Sequence, residues 1–449
     1  MKKYKLSKFC ITTRKGNQIR VYHSYYGNIS KLNYTAFKLL QFMKKPKTIE
    51  QINEKFNIST NELKRLEYLG FIITNSKKDK LTNIESNIKP YEHSTFRLYL
   101  TQRCNLACTY CFEEEKVKEE GRDMTYKMAL MATKSYCKFY NSLKKKPFRI
   151  KFEIFGGEPL LNWKVVPKFF PAVDKLLRKT CSNISYGITT NGTLFTQDIC
   201  DFLIKHNFRI LISLDGLQGQ HDAIRRFSSG GGTFNKVKGG IEMLLRLSSK
   251  KYIRENVGIT STVGTHNIKG LSRFLKFISS YSIKNVSFNK VASCGGISSG
   301  DYKQLKTEDK NFKEKMKKIY DLSDKYSINV GGMWGHIRNR FMNGGVVFCS
   351  AVGLEFGVDP NGDVYPCPFV FGNKKYAVAK ITKDGYTLLK YRYDLWANRF
   401  VTRIKECRNC NIAGICRGGC LGMALFSDKK KVNAPFGCEY AKEFSDWFL

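Results

Sequence analysis

The spacing of apolar positions along the chain changes twice, which divides it into three stretches. In the first, short helical patterns follow one another. Tyr34 to Met43 carries Phe37, Leu40 and Phe42, and Leu63, Leu66 and Leu69 mark a further helix that stops at Gly70. Thr48-Ile49-Glu50-Gln51 and Ser59-Thr60-Asn61-Glu62 are capping boxes. In each, a hydroxyl and a Gln or Glu side chain three residues on satisfy free backbone N–H groups at a helix start. Phe71-Ile72-Ile73-Thr74 reads as a strand, and the polar run Asn75 to Asn87 as a linker. Helix, turn, helix and strand in this order predict a winged-helix-like module over residues 1–88.

From about residue 92 to 330 the pattern alternates between strand and helix. Strand-like runs stand at Phe96–Thr101, Phe148–Phe155, Ile184–Thr189, Phe208–Leu214, Val257–Val263 and Val286–Val291. Helical stretches separate them, such as Met124–Tyr140 with Met128, Ala132, Tyr136 and Phe139 on one face. Six such units predict an α/β fold with a parallel sheet and right-handed crossovers. Six are too few to close an eight-fold ring, so a partial (β/α)6 TIM-like barrel is expected. The last stretch, residues 340–449, is rich in cysteine and short on long periodic elements, as in small domains that depend on metal for stability.

Composition narrows the class of protein. At 449 residues with 42% hydrophobic content, the chain is long enough for a barrel-sized domain and two smaller ones. No apolar run approaches the ~20 residues that span a bilayer. The start, Met1-Lys2-Lys3-Tyr4-Lys5, lacks the apolar core of a secretory signal, so a cytoplasmic location is expected. Fifteen cysteines in such a chain point to metal ligation or redox chemistry rather than disulfides. Ten fall into two spaced groups; Cys10, Cys137, Cys181, Cys200 and Cys294 are scattered and read as buried small hydrophobes. The formal charge of +39 is spread along the chain, which fits solvated helix faces or an acidic peptide partner better than a nucleic-acid tract.

The chemistry gathers where the strands end, as it does in parallel α/β folds. After the first strand comes Cys104-x3-Cys108-x2-Cys111. Three thiolates hold three corners of a four-iron cluster and leave the fourth iron open to a small molecule; a zinc knuckle with a distant fourth ligand is the alternative. After the second strand comes Gly156-Gly157-Glu158-Pro159, where two glycines permit close backbone approach and a carboxylate can pair with an ammonium. The third is followed by Thr189-Thr190-Asn191-Gly192, and the fourth by Ser213-Leu214-Asp215-Gly216 and His221-Asp222-Ala223-Ile224-Arg225.

The three-cysteine loop followed by Gly-Gly-Glu-Pro resembles the radical S-adenosylmethionine (SAM) superfamily over roughly 230 residues. The resemblance implies a [4Fe–4S] cluster on Cys104, Cys108 and Cys111, with SAM on the open iron. Among the candidate SAM-binding residues Gly156, Gly157, Glu158 and Asn191, Glu158 would sit near the SAM amino group. Ser213 and Arg225 would face its carboxylate, and Phe112 would pack near the adenine. His221 and Asp222 would be structural. Reduction by a donor such as flavodoxin or ferredoxin would release a 5′-deoxyadenosyl radical.

The tail resembles the SPASM extension of radical SAM peptide and protein maturases, which carries two auxiliary clusters, making three [4Fe–4S] clusters in all. By position, Cys407, Cys410, Cys416 and Cys438 would ligate the distal one, and Cys349, Cys367 and Cys420 the nearer one. A zinc ribbon on Cys407, Cys410, Cys416 and Cys420 is the alternative. The nearer cluster is one ligand short. Either its iron is open, and able to hold a substrate thiolate, or Cys294, His336 or another group completes it.

The resemblance leaves several activities open. Sulfatase maturases make formylglycine and share the Gly156–Leu161 pattern, but place an aspartate base where this chain has Pro368, which cannot accept a proton. Peptide maturases form thioethers, or carbon–carbon and carbon–oxygen crosslinks. The N-terminal pattern resembles the precursor-recognition domain fused to such enzymes, which holds a leader peptide as an added strand. The reading is therefore a radical SAM maturase that crosslinks a leader-bearing precursor peptide, with a Cys thioether as product. An iron–sulfur DNA-binding regulator is the reading from another class.

Overall fold

The computed structural model describes residues 2–74, 92–113, 121–332 and 344–426, with Arg340, Pro435 and residues 437–439, 441–442 and 445. The expected linker and His336 lie outside the described residues.

Among the described residues the N-terminal module holds six strands and three helices. Four strands come first: β1 (Lys3–Leu6), β2 (Cys10–Lys15), β3 (Gln18–His23) and β4 (Ile29–Leu32). Then follow α1 (Tyr34–Phe42), β5 (Lys47–Thr48), α2 (Ile49–Phe56), α3 (Thr60–Tyr68) and β6 (Ile72–Thr74). Both capping boxes form, on Thr48 with Gln51 and on Ser59 with Glu62. β1 lies between β5 and β6, antiparallel to each, while β2, β3 and β4 form a separate meander. The strands before α1 were not expected. Their signal is the two-residue turn Gly16-Asn17 between alternating runs, with Gly16 at a φ of 57°. Val21, Leu39, Leu40, Met43, Ile52, Leu63, Phe71 and Ile72 fill the core of the module.

The main sheet has eleven strands. Seven come from the strand–helix stretch: β7 (His93–Tyr99), β8 (Arg149–Phe155), β9 (Ile184–Thr190), β10 (Arg209–Ser213), β11 (Val257–Val263), β12 (Asn285–Lys290) and β13 (Asn329–Gly332). They pair in sequence order and in parallel. Six were expected; β13 escapes because Val330 is its only apolar residue beside one asparagine and two glycines. On the other side of β7 the sheet continues into β14 (Glu355–Val358), also parallel, and then antiparallel β15 (Asp363–Tyr365), β16 (Ala379–Thr382) and β17 (Gly385–Leu388). The cysteine-rich stretch therefore extends the main sheet rather than standing beside it. The predicted helix forms as α4 (Tyr126–Ser142), capped by Thr125, and buries Ala132, Tyr136 and Phe139.

Arg97 joins the two parts of the sheet. It projects from β7, almost fully buried, donating to Glu153 on β8 and to Glu355 on β14. Burial opposes ionisation of Glu153, yet Lys151 and Arg97 together hold it below the usual carboxylate range.

The N-terminal module also packs on the cysteine-rich part. Phe9 and Tyr25 share a buried cluster with Val346, Val401, Ile404, Cys407 and Ala413. Lys8 Nζ donates to Asn409 Oδ1 at 3.0 Å, and Gly345 N to the Tyr25 carbonyl at 2.9 Å. Among the described residues no helix is long and apolar enough to cross a membrane.

Candidate functional site

The loop that follows β7 carries Cys104, Cys108 and Cys111, and neighbouring backbone holds it at the carboxyl end of the sheet. Ala107 N donates to Arg226 O at 2.9 Å and Thr109 N to Ile224 O at 3.3 Å. From the end of β8, Gly157 N donates to Thr101 O at 3.0 Å and Glu158 N to Arg103 O at 2.9 Å. The paired glycines make this approach possible. A Cβ on Gly157 would stand 2.3 Å from the Arg103 carbonyl oxygen, and one on Gly156 2.5 Å from that of Thr101. Gly156 and Gly157, expected at the ligand, thus bring the Glu158 turn against the cysteine loop.

Glu158 is buried at the centre of this junction. Its carboxylate accepts from Leu160 N at 3.0 Å, Thr190 Oγ1 at 2.7 Å and Asn191 N at 2.6 Å. Burial pushes its carboxyl up to about 7, against these hydrogen bonds and the charge of Arg225. Asn191 donates from Nδ2 to Asn105 Oδ1 at 2.8 Å, so one asparagine ties Glu158 to the cysteine loop. Burial, then Glu158, push the Cys104 thiol up to about 12.

A second network approaches Cys108. Arg225, partly buried, donates from Nη1 to Tyr110 Oη at 2.6 Å, and Tyr110 in turn donates to Asp215. Asp215 Oδ1 accepts from Thr262 N at 2.8 Å. The Arg225 Nε is buried with no hydrogen-bond partner, as are both ring nitrogens of His266, whose ring lies 6.3 Å from that of Tyr110. Ser213 ends β10, half-buried and in register with Thr260. His221, expected to be structural, is enclosed: its ring accepts from Asp215 N, and burial drives its pKa down to about 3. Asp222 accepts from Thr233 N and Phe234 N at a helix start. Phe112 packs edge-on to Phe369 at 5.6 Å and stacks loosely on Phe155 at 6.5 Å. Tyr110, Asp215 and His266 were not singled out from sequence, although the first two lie inside the quoted motifs.

The C-terminal thiols form two sets. Cys407 lies within electrostatic reach of Cys416, Cys438 and Cys410, and Cys416 of Cys438 and Cys410. Cys367 lies within reach of Cys420 and Cys349. Burial, then these neighbours, push Cys349 and Cys407 up to about 12 and Cys416 to about 11. Among the described residues no three His, Cys, Asp or Glu side chains are gathered tightly enough for a single metal ion. Of the five scattered cysteines only Cys200 and Cys294 are buried, so the small-hydrophobe reading holds for few of them. Cys294 moreover sits between the sites, within reach of Cys420 and Cys111. Its loop is anchored by Gly296 N donating to Phe112 O at 2.8 Å. Two buried arginines, Arg340 and Arg399, stand among these thiols, and nothing in the sequence pattern marked them.

The donor set suits an iron–sulfur cluster and SAM. Three thiols share one short loop. A buried guanidinium nitrogen without a partner lies close by, fit for a carboxylate, and a buried carboxyl faces the same loop. A parallel α/β sheet with this loop at its carboxyl edge defines the class. Residues 98–278 match the family model described as "Radical SAM superfamily", so the chain carries a radical SAM domain. That superfamily binds a [4Fe–4S] cluster and SAM.

Three relatives illustrate its surroundings. The chain is 24% identical to the radical SAM cyclopropyl synthase TigE of Paramaledivibacter caminithermalis, over 93% of this chain and 89% of that one. It is 26% identical to a cysteine-type anaerobic sulfatase-maturating enzyme of Clostridium novyi, over 77% and 92%. The crystal structure of Streptococcus suis SuiB bound to precursor peptide SuiA superimposes with a TM-score of 0.54 at 15% identity, covering 95% of this chain and 98% of that one.

Proposed function

We propose that the chain is a peptide maturase that uses a 5′-deoxyadenosyl radical to crosslink a leader-bearing precursor, with a cysteine thioether as the product. The observation that carries this reading is the joining of two thiol sets to the SAM-type site through one sheet: β14 of the cysteine-rich part pairs directly with β7, whose end launches the cysteine loop. Residues 1–88 would recognise the leader, 92–330 would hold SAM, and 340–449 would hold two auxiliary clusters. The structure of SuiB with its precursor peptide covers 95% of this chain, which supports a peptide as substrate. Flavodoxin or ferredoxin would be the electron donor.

Cys104, Cys108 and Cys111 would hold the catalytic cluster. With SAM bound, such a cluster supplies reductive cleavage of SAM to methionine and a carbon radical that removes a substrate hydrogen atom. Arg225 would hold the SAM carboxylate, with Tyr110 and Asp215 fixing the guanidinium. Glu158 would accept from the SAM amino group, held in place by Thr190, Asn191 and Leu160. Of the groups considered for completing the set of Cys349, Cys367 and Cys420, Cys294 would serve, being within reach of Cys420, while His336 lies outside the described residues. Glu355, also near Cys349 and Cys367, has its two oxygens engaged by Arg97 and Ser350.

The test is anaerobic incubation of reconstituted protein with SAM and dithionite, followed by chromatography. 5′-Deoxyadenosine is expected, and a co-expressed cysteine-containing precursor should lose two hydrogens per crosslink. Formylglycine formation on a sulfatase peptide is the second reading, favoured by the Clostridium novyi relative. A precursor left unchanged beside an oxidised sulfatase peptide would decide for it.

Glu158 makes SAM binding depend on pH. Its folded-state carboxyl is raised from 4.5 to about 7, so without ligand the native state binds the proton more tightly than the unfolded chain. This contribution is fully present below the unfolded value and is lost as pH rises through about 7. A SAM ammonium favours the carboxylate instead. The rise in melting temperature on adding SAM should therefore grow as pH passes through about 7, and Glu158→Gln should flatten that growth.

A further inference from the structure

Arg399 lies within reach of both auxiliary thiol sets. It heads the fully buried side chains by size, at 1% exposure. Its Nη2 donates to Gly418 O at 2.8 Å and its Nη1 to Gly419 O at 3.1 Å. These carbonyls belong to the short Arg417-Gly418-Gly419 segment between Cys416 of the distal set and Cys420 of the nearer set. Arg417, Gly418 and Gly419 all take positive φ, at 55°, 76° and 72°, so the backbone there coils in a conformation that favours glycine. A Cβ on Gly418 would stand 2.5 Å from Ile404 and 3.4 Å from Arg399 Nη1. The guanidinium is thus clamped to the link between the sets.

The charges around it explain the burial. Four thiols, Cys420 and Cys349 from one set and Cys407 and Cys416 from the other, lie within electrostatic reach of Arg399. Desolvation raises each of the four above the usual thiol value, whereas cluster ligation requires the thiolate. A four-iron cluster with thiolate ligands carries net negative charge, and two such centres in one low-dielectric interior repel each other. A buried guanidinium between them offsets both charges at once, and is itself costly to bury without them. Arginine suits the place because it stays protonated and offers several donors in one plane.

We propose that Arg399 is the counter-charge shared by the two auxiliary clusters, raising the reduction potential of both. It is a positioning and tuning residue, not a catalytic one, and the inference rests on the two-cluster reading of the tail. Reduction adds an electron to each centre, and a fixed nearby cation favours the reduced form.

The test uses the full chain, reconstituted anaerobically, with iron counted and each cluster titrated potentiometrically by electron paramagnetic resonance. Wild type should hold about twelve irons per chain. A count of about four would overturn the auxiliary clusters and this proposal together. In Arg399→Gln, both auxiliary midpoints should fall by at least tenfold in the reduced-to-oxidised ratio, ~59 mV for one electron. The SAM-binding cluster, titrated in the same sample, should not move. Arg399→Lys should restore most of the shift. Unchanged auxiliary midpoints with full iron, or a shift in only one cluster, would overturn the shared role. If Arg399→Gln fails to load iron, Arg399→Lys decides: loading supports the charge requirement, and failure of both variants means a packing role and overturns the tuning.

Discussion

Replacing Cys104, Cys108 or Cys111 with alanine is expected to abolish 5′-deoxyadenosine formation, to below the detection limit of the anaerobic assay. With three thiols, one replacement leaves two anchors on a loop that has no other metal-binding side chain between Arg103 and Phe112. The surrounding contacts make this test specific to ligation. The loop is held by backbone hydrogen bonds from Ala107 and Thr109 to residues 224–226, and by Gly157 and Glu158 on its other side. None of these requires a cysteine side chain, so the fold should survive. The check is twofold: iron should fall by about four per chain while the auxiliary iron stays, and the melting temperature of the SAM-free protein should change little. Turnover by any of the three variants at wild-type rate would remove the loop from the chemistry.

The largest expected effect on stability comes from Arg97 on β7. Arg97→Met should cost about 3–5 kcal/mol, because it leaves the buried Glu355 and the half-buried Glu153 without their shared partner. Glu355 is already raised by burial, and Glu153 is held ionised only by Lys151 and Arg97. A loss of that size is a large fraction of the stability of an ordinary domain. Because β7 is the strand on which the cysteine-rich part is built, the loss should fall on the attachment of β14 to β7. The denaturation midpoint should drop steeply at neutral pH. In acid, once both carboxyls can take up protons, the gap to wild type should narrow. A double replacement, Arg97→Met with Glu355→Gln, should recover part of the loss, and a midpoint unchanged in the single variant would refute the account.

How far the molecule can be read from its sequence depends on the range of the interaction concerned. The capping boxes at Thr48 and Ser59 formed as written, because a hydroxyl and a Gln or Glu three residues away need no partner from elsewhere. The strand runs that alternate with helices reappear as β7 to β12, since their apolar residues, at every second position in β8, β10 and β12, bury one face of the sheet. The three-cysteine loop was legible for the same reason: its ligand spacing is contained in eight residues. β13 was not legible, because an edge strand with one apolar residue owes its position to pairing with β12.

The sequence by itself determined a radical SAM loop, its parallel α/β scaffold and two groups of thiols in the tail. Each is a local pattern, set by covalent spacing or by the period of a helix or strand. Only the tertiary structure decided that the tail shares one sheet with the scaffold, that Gly156 and Gly157 bring Glu158 against the cysteine loop, and that Cys294 stands between Cys111 and Cys420. It alone placed Arg97 between two carboxylates and Arg399 among four thiols. A lone arginine carries no periodicity. What it does follows from the charges that the fold buries around it.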